Sequence, residues 1–164
     1  MSSPLSHSLQ RSLEYISGYL ALQMVGDAQA ELATIAEADR ARPEVVEAEM
    51  SVLYAAEAWR KLERVARRCT VEHPGLLQGW LSLAFAVRRT TGVGPAQAIL
   101  LTAEQRFGTA TALLEYNLAC YLCLQSELPA ALERLNRAFK LDAQFRAIAR
   151  EDEDLRALWP VIDL

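Results

Sequence analysis

The sequence predicts an all-α fold, and three observations carry that reading. Alanine and leucine dominate every stretch, glycine (7) and proline (6) are sparse among 164 residues, and apolar residues recur three or four apart from the start. Hydrophobic residues at 52% and charged residues at 23% are enough to bury a core, while 7% aromatic content argues against a sandwich or barrel. The balance of 17 Lys and Arg against 21 Asp and Glu gives a net charge of -4 and speaks against a nucleic-acid partner, whose phosphates call for surplus cations. Three cysteines without framework spacing fit a reducing compartment, and we expect a cytoplasmic protein. No cationic start with an apolar run stands at the N-terminus and no later segment reaches membrane length, so neither a targeting signal nor membrane insertion is expected.

The elements follow in order. Leu5, Leu9, Leu13, Ile16, Leu20 and Met24 line one helix face, with Ser3 as N-cap, Pro4 in the first turn and Gly26-Asp27 as the stop. A second helix runs from about 28 to 42, with Leu32, Ile35 and Ala38 on one face and Pro43 ending it. The same grammar repeats over 44–57 and 59–72, stopped by Pro74. It repeats again over 77–90, a Gly92-Val93-Gly94 turn and 95–107, and finally over 112–125, a Ser126-Glu127 turn and 128–141. Eight helices in four hairpins result, with no linker that divides the chain.

The unit ends Pro43, Pro74, Gly108 and Ala143 lie 31, 34 and 35 residues apart. Small residues recur at equivalent offsets: Ala84 and Ala119 in first helices, and Ala96, Ala103, Ala131 and Ala138 in second helices. Antiparallel helices approach closely only where a side chain is small. With this period, these offsets and the run Tyr116-Asn117-Leu118-Ala119-Cys120-Tyr121, the chain resembles the tetratricopeptide repeat family, as a small bacterial-type member. Trp80 stands at the aromatic position of the third unit, and Tyr15, the Gly26-Asp27 turn and Pro43 mark the first. The second unit departs from the pattern, with Met50, Leu62 and Cys69 where small residues are expected. The resemblance implies a single domain over 1–164: a right-handed superhelix of antiparallel helix pairs, an α-solenoid with repeats at about 12–45, 43–76, 77–110 and 112–145. A C-terminal cap over 144–159 would cover the last pair with Phe145, Ile148, Leu155, Leu158 and Trp159. The run Arg150-Glu-Asp-Glu-Asp-Leu has a second reading, an acidic docking peptide.

No catalytic constellation emerges. His7 and His73 lack partners at metal-ligand spacing, and Cys120-x-x-Cys123 falls in mid-helix without a second ligand pair. Gly92-Val-Gly94-Pro lacks the Lys-Ser/Thr and the preceding strand of a phosphate loop. Glu44, Glu47, Glu49 and Glu57 spread around a helix, and no spacing singles out a catalytic pair. Catalytic residues, metal and cofactor are all expected to be absent. Arg60, Lys61, Arg64, Arg67 and Arg68 read as a solvated outer face.

Function rests on the resemblance, which implies that first helices line a concave groove for a peptide or protein partner. Offset mapping assigns to it Leu13, Ile16, Leu20, Gln23 and Met24, then Glu44, Glu47, Ser51 and Tyr54, then Gln78, Leu81, Phe85, Arg88 and Arg89. The fourth unit contributes Leu113, Tyr116, Asn117, Cys120, Cys123 and Leu124. Leu20, Tyr54, Leu81, Phe85, Tyr116 and Cys120 supply apolar anchors, and Asn117, Arg88 and Arg89 supply hydrogen bonds to a ligand backbone or acidic flanks. Ile16 and Leu20 stand where the family's carboxylate clamp would carry Lys and Asn, so chaperone-tail recognition is not expected. The alternative is a secretion chaperone of this family that holds an exported client and dimerises through its N-terminus; the N-terminal helix, a neighbouring subunit in a homodimer or the C-terminal segment would also cover the groove.

Overall fold

The computed structural model describes residues 4–109 and 111–162; among them are ten α-helices, two 3-10 segments and no strand. Eight helices follow in order: α1 (His7–Ala21) packs with α2 (Val25–Thr34), α3 (Pro43–Ala55) with α4 (Trp59–Glu72), and α7 (Ala112–Leu124) with α8 (Leu128–Leu141), while α5 (Leu77–Thr90) is joined to α6 (Val93–Phe107) by a short turn. The short α9 (Phe145–Ala149), a 3-10 segment (Glu153–Leu158) and α10 (Trp159–Ile162) close the chain. Contacts cluster into two units, Met1–Ala86 and Val87–Leu164, so that α5 contributes to both.

Several boundaries differ from the sequence reading, each for a local reason. Ser3 lies outside the described residues; α1 starts at His7, where Ser6 Oγ accepts from the Leu9 amide at 3.3 Å. The first turn is Leu22-Gln23-Met24 instead of Gly26-Asp27, because the Gln23 amide bonds the Leu20 carbonyl and the Met24 amide bonds that of Tyr19, both ahead of the glycine. Asp27 then falls in the first turn of α2, where its charge suits the helix dipole. α2 ends at Thr34 rather than Arg42, since the Arg40 guanidinium returns to donate to the carbonyls of Leu32 and Ala33 at 3.3 and 3.1 Å. A 3-10 turn at Glu37–Asp39 follows, and Ala38 is exposed instead of sharing a face with Leu32 and Ile35. Of the expected Gly92-Val93-Gly94 turn only Gly92 (φ 137°) remains outside α6; Pro95 sits in that helix's first turn, where a missing amide costs nothing.

A single period runs through these elements. Among the described residues positive backbone φ occurs at Gln23, Glu57, Gly92 and Ser126, one in the turn after each of α1, α3, α5 and α7 and 34, 35 and 34 residues apart, and also at Gly108 after α6. In three turns the same pair of bonds recurs: Gln23 to Leu20 and Met24 to Tyr19, Glu57 to Tyr54 and Ala58 to Leu53, Ser126 to Cys123 and Glu127 to Leu122. This is the helix-ending motif that uses one left-handed residue to satisfy two orphan carbonyls.

The core repeats as well. Ala28, Leu62, Ala96 and Ala131 occupy equivalent places and are all fully buried, as are Ala66, Leu100 and Leu135 one turn later. Of the second unit's departures, Met50 is simply buried, whereas Leu62 is compensated within its helix: where α6 and α8 read small then large, α4 reads Leu62 then Ala66, the same volume in reverse order. Cys69 replaces the alanine of Ala103 and Ala138, and the residue facing it is Gly79, whose added Cβ would lie 2.7 Å from the Cys69 sulfur.

In unit one, Leu9, Ile16, Ala28, Ile35, Val45 and Val52 form a buried cluster joining α1, α2 and α3. In unit two, α7 is central and packs on α6, α8 and the 3-10 segment. Leu155 and Leu158 are buried as expected of covering residues, Phe145 and Trp159 are half-buried, and Ile148 is 49% exposed rather than covering.

Candidate functional site

In unit one, α1 and α3 pack side by side and leave a cleft of about 360 Å³. Leu13, Ile16 and Leu20 line it from α1 because their spacing of three and four puts them on one stripe, with Ser17 at the edge. Glu44, Glu47, Ala48 and Ser51 line it from α3 by the same rule. Six of these eight are residues that offset mapping assigned to the ligand-facing side: Leu13, Ile16, Leu20, Glu44, Glu47 and Ser51. The floor is dry, with Ile16 only 1% exposed. The wall on α3 is polar. Glu44 Oε2 is buried and has no hydrogen-bond partner. Burial pushes the Glu47 carboxyl above its ordinary range, and the neighbouring charge of Glu44 adds to that rise.

Tyr54 and Phe85 meet with ring centroids 4.8 Å apart, and both touch Trp59, at 5.7 and 5.8 Å. Tyr54 remains 48% exposed, while Phe85 and Leu81 are half-buried. Trp59 was not among the expected groove residues; its place at the first position of α4 brings it over the turn to Tyr54, a proximity that a count along first helices alone does not reveal.

In unit two Arg88, Tyr116 and Cys120 of the expected groove are already engaged, while Leu113 and Leu124 are exposed. Arg88 grips Asp154 with both terminal nitrogens, one of them at 2.6 Å, and its guanidinium stands 5.7 Å from the ring centre of Tyr121. The Tyr116 hydroxyl donates to Asp152 at 2.6 Å, the Cys120 thiol donates to the same oxygen at 3.7 Å, and the Tyr116 ring stacks on Phe145 at 4.8 Å. Asp152 also caps the 3-10 segment by accepting the Asp154 amide at 3.0 Å. The acidic C-terminal run thus packs back on its own chain, as expected of a cap, with Asp152 and Asp154 taking the side-chain contacts. Asn117 spends its amide on the Leu113 carbonyl of its own helix at 2.8 Å, and Arg89 is exposed at the end of α5. Asp152 and Asp154 were the residues missed as partners of this face, and their only sequence signal was the acidic run itself.

Chemically, this second cluster is occupied by protons. Burial drives the Tyr116 hydroxyl and the Cys120 thiol well above their ordinary ranges, with the Asp152 hydrogen bond and charge adding to both. Burial, the largest single influence, would lower the Arg88 guanidinium, but the hydrogen bond and charge of Asp154, with Tyr121 and Cys120 adding, together hold the group above its ordinary range. Cys120, Asp152 and Asp154 bring ligand atoms within 4.8 Å of one another, yet Arg88, Tyr116 and the thiol already donate to these carboxylates. Cys69, Cys120 and Cys123 are free and buried, and His73 bonds the Ala41 carbonyl at 3.0 Å. A separate ion network joins Arg134 to Glu104, and Arg134 and Arg137 to the buried Glu115, at 3.2 and 3.1 Å for the latter two.

No family model matches the chain, and no curated protein matches its sequence. Among the described residues no helix is long and apolar enough to cross a membrane.

Proposed function

We propose that the chain is a non-enzymatic interaction module of the tetratricopeptide type, an array of four helix pairs whose first helices offer a surface to a peptide or protein segment. The 34- and 35-residue recurrence of left-handed turn residues, with matching buried positions, supports the repeat reading. The three free thiols suit a reducing compartment such as the cytoplasm. The observation that carries the functional reading is the cleft between α1 and α3, lined by the ligand-facing stripe of two successive first helices and floored by apolar side chains. Selection of a random peptide library on the full chain tests it. Wild type should retain peptides that a Ser17→Trp variant, which fills the cleft from its exposed edge, loses without loss of helicity. A library from which wild type retains nothing, or which both proteins retain equally, overturns the reading.

A further inference from the structure

Among the described residues, one buried side-chain oxygen lacks a hydrogen-bond partner, Glu44 Oε2, and it belongs to a residue lining the α1/α3 cleft. Buried acceptors in folded proteins are almost always satisfied, and an unsatisfied one costs the desolvation of that group. Glu47 lies one helical turn further along α3 and lines the same cleft, so two carboxylates stand on one wall, and among the described residues no cation pairs with either. The opposite wall and floor are aliphatic: Leu13, Ile16 and Leu20.

Resting on the interaction reading above, we propose that this cleft takes a peptide segment bearing a lysine or arginine among aliphatic residues, the cationic head on Glu44 and Glu47 and the apolar stem along Leu13, Ile16 and Leu20. Both halves of the surface require that chemistry. A hydrated metal ion would gain nothing from the aliphatic wall, and a purely apolar segment would seal the half-buried Glu47 carboxylate away from water without a donor. A long cationic side chain supplies both, because its methylenes pack on apolar surface while its head seeks charge. The raised Glu47 carboxyl agrees, since an incoming cation relieves the repulsion that raises it.

The experiment uses the library-selected peptides on the full chain. The retained pool should be enriched in Lys or Arg flanked by aliphatic residues. The strongest such peptide should lose about tenfold or more in affinity when its cation is replaced by norleucine, and equally when the protein carries Glu44→Gln with Glu47→Gln. Ser51→Lys, which places a cation one turn beyond Glu47 on the same wall, should also block it while leaving the fold intact. A retained pool without cations, or a cationic peptide indifferent to the two glutamine substitutions, overturns this proposal and leaves the interaction reading standing. A wild-type dimer that the glutamine substitutions split into monomers gives the cleft to a second copy of this chain and overturns it as well. No retained peptide of any kind removes both.

Discussion

Glu57 carries a left-handed backbone, φ 52°, in which its β-carbon crowds the following carbonyl. Gln23 and Ser126 do the same at φ 59° and 66°, so three of four hairpin turns use a residue that this conformation penalises. Glu57→Gly should therefore raise stability by about 0.5–1 kcal/mol, the crowding relieved exceeding the entropy glycine adds to the unfolded chain. A denaturant midpoint that stays fixed or falls would show that the Glu57 side chain contributes more than its strain. This non-glycine chemistry also explains why the first turn was misread: Gly26 drew attention as a turn residue, whereas the hydrogen bonds closed three residues earlier on Gln23. Glu47 supports a second prediction. Its folded pKa is raised, so the charged form is disfavoured by folding; the cost is present above that pKa and disappears as pH falls through it. Glu47→Gln should raise Tm at neutral pH, by an amount in keeping with about 0.2–0.5 kcal/mol for like charges one turn apart, and the gain should vanish in acid. A Tm gain that persists unchanged at acidic pH would assign the effect to packing.

Helix pairs show how a repeat tolerates exceptions. The lengths and starts of α4, α5 and α8 follow directly from Trp59, Leu77, Leu128 and the prolines before or within them, because apolar periodicity and helix breakers are local signals. What local signals could not show was that Leu62 and Cys69 were compensated, since the compensating atoms lie on Ala66 and, across the interface, on Gly79. Two double-mutant cycles follow. Leu62→Ala should cost about 2–5 kcal/mol and Ala66→Leu about 1–3, while the pair together, which restores the order of α6 and α8, should cost much less than their sum. Gly79→Ala should cost about 1–3 kcal/mol through its contact with the Cys69 sulfur, and in a Cys69→Ala background it should become neutral or favourable, since alanine outranks glycine in a helix interior. Strict additivity in either cycle, read from chemical denaturation, would sink the shared-volume account.

Over the whole chain, one mapping rule collected residues that exist in different states. In unit one the first-helix stripe lines a cleft with an unsatisfied carboxylate; in unit two Tyr116 and Cys120 on α7 already hold the chain's own Asp152, and Arg88 near the end of α5 holds Asp154. The rule was legible because it depends on offsets within helices. That the C-terminal segment could cover this face was also legible, but the pairing was not, because Arg88 and Asp154 are 66 residues apart and nothing short-range ties them. The pairing nonetheless makes a prediction about how the C-terminal segment is held. Arg88 and Asp154 are largely buried, at 17% and 22% side-chain exposure, so removing one partner leaves the other's charge without compensation. Asp154→Asn should cost about 1–3 kcal/mol and speed amide exchange over residues 145–162. Arg88→Met combined with Asp154→Leu removes both charges, keeps apolar volume over Tyr121, and should recover most of that protection. Were the double variant to exchange as fast as Asp154→Asn alone, the segment would depend on the ion pair itself; were neither to change exchange, Leu155, Leu158 and the Phe145–Tyr116 stack would suffice to hold it.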